Sequence, residues 1–173
     1  MNDYIATPLS RKQLRTLALS IRKKFHLENE ICFPVEKLLE VMPDIYSVNN
    51  FTYEIVQDHE LPESIQGDTD ITNHYMRIKE SVYDGACSGN GRDRYSVAHE
   101  IGHYLLLYVM GYAFQRNISQ RQLRAFEDPE WQAECFAGEL LMPHHLISGM
   151  SIYDLSDRCR VSLSAAATQI KFI

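Results

Sequence analysis

Apolar residues fall at helical spacing towards both ends of the chain and in alternation between them. Across residues 8–27, Leu14, Leu17, Ile21 and Phe25 trace one stripe of a helix, and Ser10 is placed to cap its first turn. The opposite face carries Arg11, Lys12, Arg15, Arg22, Lys23 and Lys24 and reads as a solvated surface. Pro34 opens a second, shorter helix with Val35, Leu38, Leu39 and Met42 on its buried side, and Pro43 is expected to stop it. The period then drops towards two. Residues 45–48, 51–56, 64–67 and 74–79 read as short strands, with residues 68–73 as the turn between the last two. Residues 85–91 read as a glycine-containing loop without the spacing of a phosphate cradle.

Helical spacing returns from Arg94 to Tyr108, where Ala98, Ile101, Leu105 and Val109 form an apolar stripe. A polar stretch over residues 115–128 follows, with Ile118, Leu123 and Phe126 as anchors for a short helix. Pro129 then opens a helix that Pro143 closes. Two helical patterns near residues 151–158 and 162–171 meet at Val161.

The chemistry sits on the helix that starts near Arg94. His99 and His103 are four residues apart, so one imidazole lies above the other on one helix face. Two imidazoles placed in this way can share a zinc ion, and Glu100 projects beside them, where a general base would take a proton from zinc-activated water. A hydrolytic zinc wants a third protein ligand. Glu130 and Glu134, one turn apart on the helix after Pro129, both qualify. Glu130 is the preferred ligand and Glu134 the partner that orients a ligand histidine, with the reverse assignment still open. Glu139 reads as exposed, Cys135 as core, and His144 and His145 as surface residues. Tyr95 and Tyr104 read as packing residues that flank the metal helix.

Together these elements predict an α+β fold: a mostly helical single domain over residues 1–173 with a small antiparallel or mixed β-sheet beside the metal-binding helix. Residues 1–43 supply helices, 45–80 the sheet, 94–143 the metal-site helices and 144–173 a helical C-terminal segment. The net charge of -6 argues against direct nucleic-acid binding. Cys32, Cys87, Cys135 and Cys159 show no paired spacing and read as reduced thiols. With no membrane-length apolar run and no signal-peptide pattern at Met1, the expected location is cytoplasmic.

Two blocks carry a family resemblance. Arg94-Tyr-Ser-Val-Ala-His-Glu-Ile-Gly-His-Tyr-Leu-Leu resembles the R-F-T-x-A-H-E-L-G-H-x-L-L block of the ImmA/IrrE metallopeptidases. Glu130-x-x-Ala-Glu-x-Phe-Ala-x-x-Leu-Leu-Met-Pro143 resembles that family's second block, E-x-x-A-N/D-x-F-A-x-x-L-L-M-P. The resemblance covers roughly residues 30–171, including the tail Val161-Ser-Leu-Ser-Ala-Ala-Ala. It implies one zinc ion per chain held by His99, His103 and Glu130, with Glu100 as base, in an endopeptidase. It also implies a bacterial or phage regulatory role, with a helix-turn-helix transcriptional repressor as the protein substrate. The chain departs from the pattern at Leu107 and Tyr108, where the family often has histidine, and at Glu134, where it has Asn or Asp. The alternatives are a protein-binding module that retains the metallopeptidase fold without cutting and, less favoured by the charge, a DNA-binding regulator that uses residues 151–171.

Overall fold

The computed structural model describes residues 4–45, 51–70, 73–109, 114–116 and 122–173. Helix α1 spans Arg11–Lys24, and the Ser10 side chain accepts the backbone N–H of Gln13 as its cap. Leu14, Leu17, Ala18 and Ile21 form its buried side. The basic face is only partly solvated. Arg22 is fully buried and donates to the carbonyls of Leu140 and Glu30, and burial lowers its pKa to about 10. A guanidinium tolerates this because its several donors can each find a carbonyl. Lys12, Lys23 and Lys24 are exposed, as expected.

Helix α2, Val35–Ile45, runs through Pro43 instead of stopping there. Pro43 forfeits only the one backbone bond its own N–H would have made, to the carbonyl of Leu39, and the described helix continues two residues past it. Ile45 is therefore helical, and the rest of the strand expected at residues 45–48 lies outside the described residues.

Three strands form a mixed sheet in the order β2–β4–β3. They are β2 (Thr52–Val56), β3 (Gly67–Asp70) and β4 (Tyr75–Lys79). β2 runs parallel to β4, and β3 runs antiparallel to it. β3 occupies part of the expected turn. Asp68 and Asp70 are poor strand formers, but Asp68 pairs across the sheet with Arg77, and Thr69 is buried opposite Met76. A second, two-stranded sheet joins β1 (Tyr4–Ala6) to β5 (Phe114–Arg116). These strands are too short to give a period, and the sequence pattern did not predict them.

The glycine-containing stretch is mostly helix. α3 covers Glu80–Cys87, and a Cβ on its Gly85 would stand 2.0 Å from Asp93 Oδ2. Gly85 therefore lets α3 lie close against α4 (Gly91–Tyr104), whose cap is the Asn90 side chain. A π-helical turn over Leu105–Val109 continues α4. In the polar connector, where a short helix is expected, the described residues form one 3₁₀ turn, Ala125–Glu127. Phe126 is exposed there and anchors the turn by its carbonyl, which accepts from Leu9 N and Gln132 Nε2. Ile118 lies outside the described residues.

Helix α5, Pro129–Leu141, is buried along most of its length and packs against both α1 and α4. Three short helices complete the chain: α6 (His144–Ile147), α7 (Ile152–Cys159) and α8 (Leu163–Gln169). The last two meet at Val161, as the pattern predicted. The fold is thus α+β and mostly helical, with α4 and the three-stranded sheet side by side. Among the described residues, no helix is long and apolar enough to cross a membrane.

Candidate metal centre

Gly102, inside the His99–His103 segment, sets the approach of α4 to α5. A Cβ there would meet Phe136 Cδ1 at 3.0 Å and the Ala133 backbone at 3.3 Å. Because position 102 carries only hydrogen, the helices close until the first turn of α5 reaches the two histidines. That turn is fixed by Asp128, whose Oδ1 accepts the Glu130 N–H at 3.0 Å, and by Pro129 at the first helical position.

Glu130 is brought to the imidazoles by this contact. His99 Nε2 and His103 Nε2 are 3.0 Å apart, and Glu130 Oε2 lies 3.2 Å from the first and 3.5 Å from the second. Ligand atoms at zinc bond lengths in a tetrahedron stand about 3.3 Å from one another. The three atoms therefore have the mutual spacing of three corners of such a site, and two imidazole nitrogens with one carboxylate oxygen suit a divalent ion of zinc's character. His103 is buried and His99 is partly exposed, so the group opens to one side only.

The charges fit the same picture. Burial alone would lower the pKa of His99, but the hydrogen bond to Glu130 and the negative charges of Glu100, Glu130 and Glu134 raise it. Hydrogen bonds from His103 and His99 hold the Glu130 carboxyl well below the usual carboxylate range. The carboxylate is thus ionised and ready to act as a ligand.

The three residues line a cleft of about 520 Å³ whose walls also include Ser64, Gln66, Glu100 and Tyr95. Thr69 Oγ1, on β3, donates to Glu100 Oε2 at 2.7 Å. The sequence pattern does not single out Thr69, because residues 68–73 read as a turn. Lys79 is buried and donates to the carbonyls of Pro62 and Glu63, which ties down the segment that forms the cleft's other wall.

Glu134 lines the cleft but stands outside the three-residue cluster as an exposed side chain. Its backbone carbonyl accepts from Tyr95 Oη at 2.8 Å. Tyr104 packs on Phe51 with ring centroids 4.0 Å apart. Cys135 is core, and burial pushes its thiol up to about 11. Glu139, expected to be exposed, is buried because Arg11 and Arg15 both reach it. His144 and His145 lie away from the cleft. His145 Nε2 donates to the Glu28 carbonyl at 2.7 Å, and both histidines line a separate, small cavity with Arg15 and Glu139.

Comparison with known proteins places the fold around this site in a wider group. The IrrE N-terminal-like domain family, Peptidase M78, matches residues 65–171, which include all of α4 and α5. No curated protein matches the chain. A solved structure of a Mycobacterium tuberculosis transcriptional regulator shares the fold with a TM-score of 0.61 at 14% identity. The match covers 92% of this chain and 46% of that one, so this chain spans less than half of the regulator's length. The family match extends over more than half of the sequence: the chain belongs to the IrrE N-terminal-like domain family, a metallopeptidase-like group.

Proposed function

We propose that this chain is a zinc-dependent endopeptidase that cuts an extended segment of a regulatory protein. The observation that carries the reading is the convergence of His99, His103 and Glu130 within 3.5 Å, with Glu100 in the same cleft. His99, His103 and Glu130 would hold the metal. A zinc ion bound there supplies a Lewis acid that polarises a peptide carbonyl and makes water a better nucleophile. Glu100 takes the proton from the attacking water and returns it to the leaving amine.

The substrate is oriented by the sheet. An extended peptide adds to a free strand edge through backbone hydrogen bonds. β4 is the central strand, and β3 is the edge strand that lines the cleft. Residues 67–69 therefore offer the template, beside Glu100.

The family and the transcriptional regulator that shares the fold support a regulatory substrate. A helix-turn-helix repressor is the class in view. The test pairs a quenched-fluorescence peptide library, and any helix-turn-helix repressor encoded beside this gene, with zinc-loaded protein. The parent should cut, and Glu100→Gln should keep the metal and lose cleavage by about a hundredfold or more. Full activity in Glu100→Gln would sink the mechanism. Tight capture of the repressor without fragments would favour a binding module that does not cut.

A further inference from the structure

We infer that Thr69 is the positioning residue for Glu100 and that β3 is built around that task. The inference rests on the peptidase reading above for its catalytic part, and on geometry alone for the rest.

Two positions on one face of β3 meet the base. Residues 67 and 69 are two apart on a strand and so point to the same side. At position 67 a Cβ would stand 3.0 Å from Glu100 Cγ and 2.9 Å from the Arg77 carbonyl oxygen. Any side chain there would push against the base or break the pairing with β4. At position 69 the hydroxyl donates to Glu100 Oε2 at 2.7 Å, a short bond of the charge-assisted kind. The same oxygen lies 3.5 Å from the Glu100 carbonyl, too far to compete for the one hydroxyl proton. One residue clears the space for Glu100 and the next but one holds it.

The strand itself is held. Thr69 is 8% exposed and pairs with Met76, which is fully buried. Asp68, between the two, forms an ion pair with Arg77 on the neighbouring strand. A β-branched side chain on a strand has few rotamers, so the hydroxyl points to one place. Thr69 engages one carboxylate oxygen and leaves the other to move the proton. A glutamate free to rotate would spend most of its time out of line, and small misplacements of a catalytic group cost up to about a hundredfold in rate. Thr69 does not touch the reacting atoms; it acts through Glu100.

Two measurements on the full chain test this. The first uses metal-free protein and a double-mutant cycle in urea, with Thr69→Val and Glu100→Ala. Thr69→Val should lower the unfolding midpoint when Glu100 is present and have a clearly smaller effect when it is absent, and Thr69→Ser should restore most of the loss. Equal losses in both backgrounds would overturn the proposal. The second uses zinc-loaded protein and the best-cut member of the peptide library. Thr69→Val should lower kcat by about tenfold to a hundredfold with KM within about twofold and metal content unchanged, and Thr69→Ser should recover most of the rate. Parent-like kcat in Thr69→Val would also overturn it. If the zinc-loaded parent cuts no peptide, the peptidase reading falls, and the cycle alone decides whether Thr69 holds Glu100.

Discussion

The two ends of α5 each present a carboxylate to partners on another helix, and they do opposite things with it. At the first turn, Glu130 meets two histidines of α4 in a cleft. In the last turns, Glu139 meets Arg11 and Arg15 of α1, with its side chain fully buried. Guanidinium groups stay charged, so the second cluster balances the buried carboxylate with protein cations alone. A neutral imidazole nitrogen offers a lone pair to a metal ion, which a guanidinium does not. The same helix thus carries a closed electrostatic lock at one end and an open donor set at the other.

The largest effect that separates the two ends is on folding. Glu139→Ala leaves two arginines facing an emptied site and should cost about 3–5 kcal/mol in urea unfolding. Glu130→Ala should leave the stability of metal-free protein within about 1 kcal/mol of the parent, since that carboxylate is partly exposed. Equal losses at the two ends would erase the distinction.

Next in size is the spacing of α4 and α5. Gly102→Val forces the helices apart at Phe136 and Ala133 and should cost about 1–3 kcal/mol while weakening metal retention. Parent-like metal affinity in that variant would mean that helix approach does not set the site.

A smaller effect belongs to the cap. Asp128→Ala removes the acceptor of the Glu130 N–H and should cost about 1 kcal/mol, with a modest loss of metal affinity because the ligand's turn frays. Its counterpart, Ser10→Ala at the start of α1, should cost about the same stability with no change in metal affinity.

The smallest effect is chemical. Burial pushes the thiols of Cys135 and Cys159 up to about 11, and Cys87 is exposed. At pH 8 a thiol reagent should label Cys87 rapidly and spare Cys135 and Cys159 until urea is added, as followed by mass spectrometry. Rapid labelling of Cys135 in folded protein would mean that α5 opens easily.

The sequence showed the open end of α5 better than the closed one. His99 and His103 are legible from spacing alone because a helix turns an interval of four into a shared face. Glu130 is legible because Pro129 announces its helix. The arginine lock was not legible: the partners of Glu139 lie more than a hundred residues away, and nothing in its neighbourhood marks it as buried. β3 was misplaced for a related reason. Two aspartates in four residues read as a turn, and only the cross-strand Arg77 and the pocket for Thr69 make them a strand. Local pattern reveals groups that act along one element, and it is blind to groups whose meaning comes from another.

The measurement that tests the central claim most directly is metal content in tag-free protein after reconstitution with zinc. The parent should hold about one zinc per chain; His99→Ala, His103→Ala and Glu130→Ala should lose it, while Glu134→Ala and Glu100→Gln should keep it. A parent that takes up no zinc, or a site lost with Glu134→Ala but kept with Glu130→Ala, would contradict the account.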